Sequence, residues 1–144
     1  MTPVSAVMTP RLLTISSDAP LPDAAWGLSL QGIAGAPVTD EHGKLVGVLS
    51  RSDLADPRAL RGDADAPHTV RDAMTPVLLA VRDSDPVSFA VRRLVETGVH
   101  RLIVVDAEGA PVGILTPMDV LRATHHGRLS PDELVSKPRD AAEE

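Results

Sequence analysis

Residues 4–54 of this 144-residue chain recur at 70–120 without a gap, and that duplication narrows the possible folds more than any other feature. The run Val4-Ser5-Ala6-Val7-Met8-Thr9-Pro10 returns as Val70-Arg71-Asp72-Ala73-Met74-Thr75-Pro76, and the run from Val38 to Asp53 returns as Val104 to Asp119. Both share one offset (74 − 8 = 119 − 53 = 66), and 17 of the 51 overlaid positions are identical. The period is too long, and the copies too few, for a solenoid. The pattern predicts two copies of one supersecondary unit packed face to face, with any ligand held in the cleft between them.

Each copy reads as strand, helix, strand, turn, strand, helix, an α/β (α+β) arrangement. In the second copy Leu78 to Val81 suits a short buried strand. Asp85-Pro86 opens a helix, with Asp expected at the N-cap and Pro in the first turn. Val87, Ala90, Val91, Leu94 and Val95 fall at i, i+3, i+4, i+7 and i+8, and Gly98 ends the helix. Leu102 to Val105 and Val112 to Leu115 form two strands around the turn at 106–109, and a closing helix begins near Pro117. The first copy follows with Leu12 to Ile15, a helix stripe of Leu21, Ala24, Ala25 and Leu28 before Gly32, and strands Ala36 to Thr39 and Leu45 to Leu49. Pro37 removes a ladder donor, so its strand is expected to pair fully on one side only. The domains read as a first repeat over 1–60, a linker over 61–69, a second repeat over 70–126 and a partly disordered extension over 127–144. Within that extension Ser130-Pro131-Asp132-Glu133 has the form of a capping box.

Composition removes several classes of function. There are no cysteines, hence no disulfide, thiolate metal site or cysteine nucleophile. A net charge of −6 argues against nucleic-acid binding, which depends on surplus Lys and Arg. Trp26 and Phe89 are the only aromatics, so an adenine ring would lie between aliphatic walls. With no export signal and no apolar run of membrane-spanning length, a cytoplasmic protein is expected, independent of membranes.

The duplicated Met-Thr-Pro opening, the apolar strand pair around Asp-x-x-Gly, and the Gly-x-Leu-Ser/Thr-x-x-Asp segment together resemble a tandem pair of CBS domains, a Bateman module. The resemblance covers residues 4–123. It implies two βαββα repeats packed with pseudo-twofold symmetry, often paired further into a homodimer. It also implies an adenosine-containing ligand, chiefly AMP, ADP or ATP, with S-adenosylmethionine or NAD as further candidates, and no required cofactor. By the same resemblance, Ser50 and Thr116 face phosphate, Asp53 and Asp119 take the ribose diol, and His100 and Arg101 face phosphate.

The chemistry of those residues suits the roles. A carboxylate accepts from both ribose hydroxyls, and a hydroxyl at a helix N-terminus sits where anions are favoured. Arg101 carries a permanent charge with a bidentate fork, whereas His100 contributes charge only when protonated. Where the second copy has His100-Arg101 the first has Ala34-Gly35, so phosphate affinity is expected to be uneven. Ser50…Asp53 and Thr116…Asp119 also match the pattern that caps helices without any ligand. Adjacent His125-His126 reads as a frayed helix end, not a metal site, and Met8 and Met74 read as gap-fillers in the core. Trp26 is expected on an exposed helix face, over an oligomer contact.

Two functions follow. One is a regulatory module that senses an adenine nucleotide and signals by a conformational or dimer change to a separate regulated protein. The other is a structural dimerisation scaffold with degenerate ligand sites. No nucleophile elbow, phosphate loop or metal-spaced cluster appears, so no catalytic residue and no enzymatic activity are expected.

Overall fold

Eight short strands and four helices are seen in the computed structural model, which describes residues 1–10, 13–54, 67–76 and 79–135. In chain order they are β1 (Thr9–Pro10), β2 (Ile15–Ser16), α1 (Leu21–Gln31), β3 (Gly35–Thr39), β4 (Leu45–Ser50), α2 (Val70–Ala73), β5 (Thr75–Pro76), β6 (Ala80–Arg82), α3 (Val87–Thr97), β7 (Leu102–Val105), β8 (Pro111–Leu115) and α4 (Pro117–His125). Short 3-10 turns cover Val4–Ala6, Arg51–Leu54 and Pro131–Leu134. The expected strand residues Leu12 and Leu78, most of the linker and the chain beyond Val135 lie outside the described residues.

The strands form two four-stranded sheets, ordered β1-β8-β7-β6 and β2-β3-β4-β5. They belong to two compact units, one built from residues 1–10, 79–107 and 112 onward, the other from the intervening residues together with 108–111. The opening of each sequence copy therefore packs in the unit that holds the body of the other copy. Thr9 and Pro10 pair antiparallel with Ile114 and Gly113, and Thr75 and Pro76 pair in the same way with Val48 and Gly47.

Glycine at 47 and 113 is what admits these crossing strands. A Cβ on Gly47 would stand 2.7 Å from Met74 Sδ and 2.8 Å from the Thr75 carbonyl oxygen. On Gly113 it would stand 2.5 Å from Met8 Sδ and 3.0 Å from the Thr9 carbonyl oxygen. The duplicated Met-Thr-Pro and Gly-x-Leu signatures are thus two halves of one contact. Met8 and Met74 are partly buried and pack on the cores, as gap-fillers do.

Each unit has its own apolar core. In the first, Val4 and Val7 join Val81, Val87, Ala90, Leu94, Leu102, Val104, Leu115 and Val120. In the second, Val70 joins Ile15, Leu21, Leu28, Val38 and Leu49. Gly32 and Gly98 end α1 and α3 in the left-handed conformation, at φ of 64° and 70°. Pro37 behaves as its chemistry dictates: β3 pairs along its length with β4, but with β2 only through Val38 and Thr39.

Two local expectations fail. Asp85 is not the N-cap of α3; that position is Pro86, which has no capping side chain. The Asp85 carboxylate instead accepts from the Arg82 backbone N–H at 2.8 Å, closing the turn before the helix. Val95 shares the periodicity of the buried stripe, yet it is 77% exposed. The stripe of α3 is wider than the surface of its own unit covers. Trp26 is also exposed, at 68%.

Candidate functional site

Thr116 ends the β7–β8 hairpin and begins α4. Its backbone is extended (φ −120°, ψ 161°), which turns its hydroxyl onto the first helical turn. There Thr116 Oγ1 accepts from the Asp119 N–H at 3.2 Å, and Asp119 Oδ2 accepts from the Thr116 N–H at 2.9 Å. This reciprocal pair is a full capping box. The other carboxylate oxygen, Oδ1, accepts from Thr9 Oγ1 at 2.8 Å and lies 3.7 Å from Arg122 Nη1. Asp119 is only 6% exposed, and a donor meets each of its carboxylate oxygens, as a buried polar group requires.

His100 and Arg101 immediately precede β7, and Thr116 immediately follows β8. The two strands are hydrogen-bonded neighbours joined by a short turn, so these residues share one end of the sheet. Both basic side chains are exposed and make no hydrogen bond or ion pair among the described residues. One end of this unit therefore offers a fixed carboxylate, a capped helix N-terminus, an arginine and a histidine.

The second unit repeats the plan with weaker parts. Asp53 Oδ2 accepts from the Ser50 N–H at 2.8 Å and from Ser50 Oγ at 3.0 Å. Ser50 Oγ also lies 2.8 Å from Ser52 Oγ. Thr75 Oγ1 reaches Asp53 Oδ1 only at 3.4 Å. Here the described helical structure is a 3-10 turn of four residues, against nine in α4. Opposite Ser50 in the β3–β4 register stands Gly35, the position matching Arg101, and it leaves no room for a side chain. A Cβ there would lie 2.9 Å from the Leu49 carbonyl oxygen. The missing charge of the first copy is thus built into its backbone packing.

Sequence reasoning missed Thr9 and Thr75, whose hydroxyls reach the two carboxylates. Their signal was present, since Thr stands between Met and Pro in both copies, but only as a marker of the repeat. His125 ends α4 and His126 is its C-cap. Among the described residues no group of His, Asp or Glu is placed to hold a metal ion, and no helix is long and apolar enough to cross a membrane.

Comparison with known proteins gives this geometry a context. The chain is similar to a CBS domain-containing chloroplast protein, CBSX2 of Arabidopsis thaliana, at 35% identity over 83% of the chain and 62% of that protein. It is also similar to inosine-5'-monophosphate dehydrogenase of Methanocaldococcus jannaschii, at 26% identity over 88% of the chain but 24% of that enzyme. The chain spans less than two thirds of the length of each. Among solved structures, CBSX2 in complex with AMP superposes with a TM-score of 0.73 at 38% identity, over 90% of this chain and all of that one. The CBS pair of protein MJ0100, in complex with 5'-methylthioadenosine and S-adenosyl-L-methionine, gives 0.66 at 26% identity, over 88% and 98%. The CBS domain family matches twice, at residues 4–58 and 70–126, spans that take in the two copies of the duplication, 4–54 and 70–120, and the chain belongs to that family.

Proposed function

We propose that the chain is a regulatory module that binds an adenosine-containing nucleotide of the AMP, ADP or ATP type and relays its occupancy, through a change of conformation or self-association, to a separate protein. Its principal site is the sheet end that carries Thr116, Asp119, His100 and Arg101. Two solved relatives, one holding AMP and the other methylthioadenosine with S-adenosylmethionine, support an adenosine ligand. S-adenosylmethionine and NAD remain in the ligand class, and no cofactor is needed. We take the module to be non-catalytic: the polar groups of this site cap and orient, and among the described residues none is paired so as to activate a nucleophile. Inosine-5'-monophosphate dehydrogenase, an enzyme among its relatives, is matched over only 24% of its length, as an accessory segment would be.

The observation that carries this reading is the pair of basic side chains at the same sheet end as a preset carboxylate, where the matching end of the other unit has Gly35 in place of Arg101. Calorimetry with AMP and with adenosine tests it. A hydrogen-bonded charge contributes about 1.5–3 kcal/mol, so Arg101→Ala lowers AMP affinity by about tenfold or more. Adenosine affinity stays unchanged, and Asp119→Ala weakens AMP more than Asp53→Ala does. Equal losses for AMP and adenosine in Arg101→Ala refute the assignment.

Homodimerisation has its own support. A groove of about 340 Å³ between α3 and α4 is lined by Leu94, Val95, Val99, Pro117, Val120 and Leu121, nearly all apolar surface. A second copy laid into it would cover Val95 and Leu121, which water otherwise meets.

A further inference from the structure

The Asp119 carboxylate is not held by its own helix alone. Thr9, 110 positions away in sequence, donates to Oδ1 at 2.8 Å, the shorter of the carboxylate's two hydrogen bonds. Thr9 is itself firmly placed. Val4 is fully buried and Val7 nearly so, and the Val4 and Ser5 N–H groups donate to the carbonyls of Asp85 and Asp83 at 2.8 and 3.0 Å. Thr9 and Pro10 then pair with β8. The hydroxyl thus reaches the carboxylate from a segment that is also anchored on the Asp83–Asp85 turn and on β8, outside α4. In the other unit the matching contact, Thr75 to Asp53, stretches to 3.4 Å.

We propose that Thr9 is a positioning residue for the nucleotide site, and that it couples occupancy of that site to the docking of residues 1–10. The inference rests on Asp119 receiving the ribose diol, as proposed above. An ionised carboxylate has about four lone-pair sites. Thr9 and the Thr116 N–H each take one and fix the plane of the group, leaving one on each oxygen aimed by the protein. A diol that donates to an oriented acceptor forgoes the cost of ordering it. Coupling of this kind is reciprocal: whatever factor Thr9 adds to ligand affinity, the ligand adds to the docking of the strand that carries Thr9.

The experiment combines calorimetry with amide hydrogen exchange on the full chain, using AMP as the probe. Thr9→Val keeps shape and strand propensity but removes the donor, and it weakens AMP binding by roughly tenfold. Thr9→Ser restores the donor and most of the affinity. In wild type, saturating AMP slows exchange of the Val4 and Ser5 amides by a similar factor, and in Thr9→Val it does not. Thr75→Val leaves AMP affinity within about twofold, because its contact is already long. Wild type that binds AMP with no change at Val4 and Ser5, or Thr9→Val that binds as tightly as wild type, overturns the coupling and leaves the nucleotide reading standing. Failure of wild type to bind AMP overturns both. The wild-type exchange measurement decides the matter even if Thr9→Val does not fold.

Discussion

Substituting Gly47 by alanine tests directly how the crossing strands are held. The new methyl group would meet Met74 Sδ at 2.7 Å, Met74 Cγ at 3.2 Å and the Thr75 carbonyl oxygen at 2.8 Å. A thioether side chain can swing aside, but a backbone oxygen in a paired strand moves only with the strand. Overpacking of this kind costs about 1–3 kcal/mol. Partial withdrawal of the 70–76 segment would add to it, since Val70 is fully buried and such a side chain is worth about 1.5–3 kcal/mol. A loss of about 2–3 kcal/mol, or about 4–12 °C in Tm for a chain of this size, is expected. Gly113→Ala is milder, because the backbone oxygen it approaches is 3.0 Å away and the closest atom is the flexible Met8 sulfur. Urea unfolding followed by circular dichroism at constant m-value measures both losses. A double-mutant cycle then separates the causes. Met8→Ala should rescue much of Gly113→Ala, whereas Met74→Ala should rescue less of Gly47→Ala, whose carbonyl contact survives. Losses that add to within about 0.5 kcal/mol in the Gly113–Met8 cycle refute the proposed contact.

Other consequences are as open to measurement. Gly35→Arg, which copies Arg101 into the first repeat, should lower Tm by several degrees at about 1–3 kcal/mol of overpacking, because its Cβ meets the Leu49 carbonyl oxygen at 2.9 Å; a variant as stable as wild type would show that Gly35 is not sterically required. The Thr2 backbone N–H, followed by that of Ser130, holds the Glu133 carboxyl below its ordinary value. A depressed carboxyl stabilises the fold above its unfolded pKa and loses that contribution as pH falls through the folded one. The clasp between Thr2 and Glu133 should therefore be intact at neutral pH and open with a midpoint below 4.5, read from the Thr2 amide signal by NMR. A midpoint at or above that value, or an unchanged titration in Glu133→Gln, would remove the clasp as its cause.

The elements that depend on periodicity or on glycine were legible in the sequence. The stripes of α1 and α3, their left-handed glycine caps, the two hairpins and the Thr116–Asp119 box all follow from local chemistry acting within a few residues. So did the charge imbalance between Arg101 and Gly35, although its steric basis was not visible. What escaped were contacts made over long separations by very short segments. β1 and β5 are two residues each, too short to carry an alternation, and nothing local in Thr9 points to Asp119. Asp85 was misassigned because two local uses compete for one carboxylate, capping a helix or closing the preceding turn, and the turn prevails. Val95 satisfies the helical period yet faces water, because periodicity records which residues share a face and not how far the covering surface extends.

The crossing of the chain openings means that neither sequence repeat is a self-sufficient building block. A fragment confined to the second copy would lack Val4 and Val7 and would leave a hole where they fill its core. The mate of Asp119 arrives from 110 positions upstream, so this unit closes only after both copies have been made. Duplication here multiplied a unit in the gene, while the folded object it created can be divided only across the grain of its own repeat.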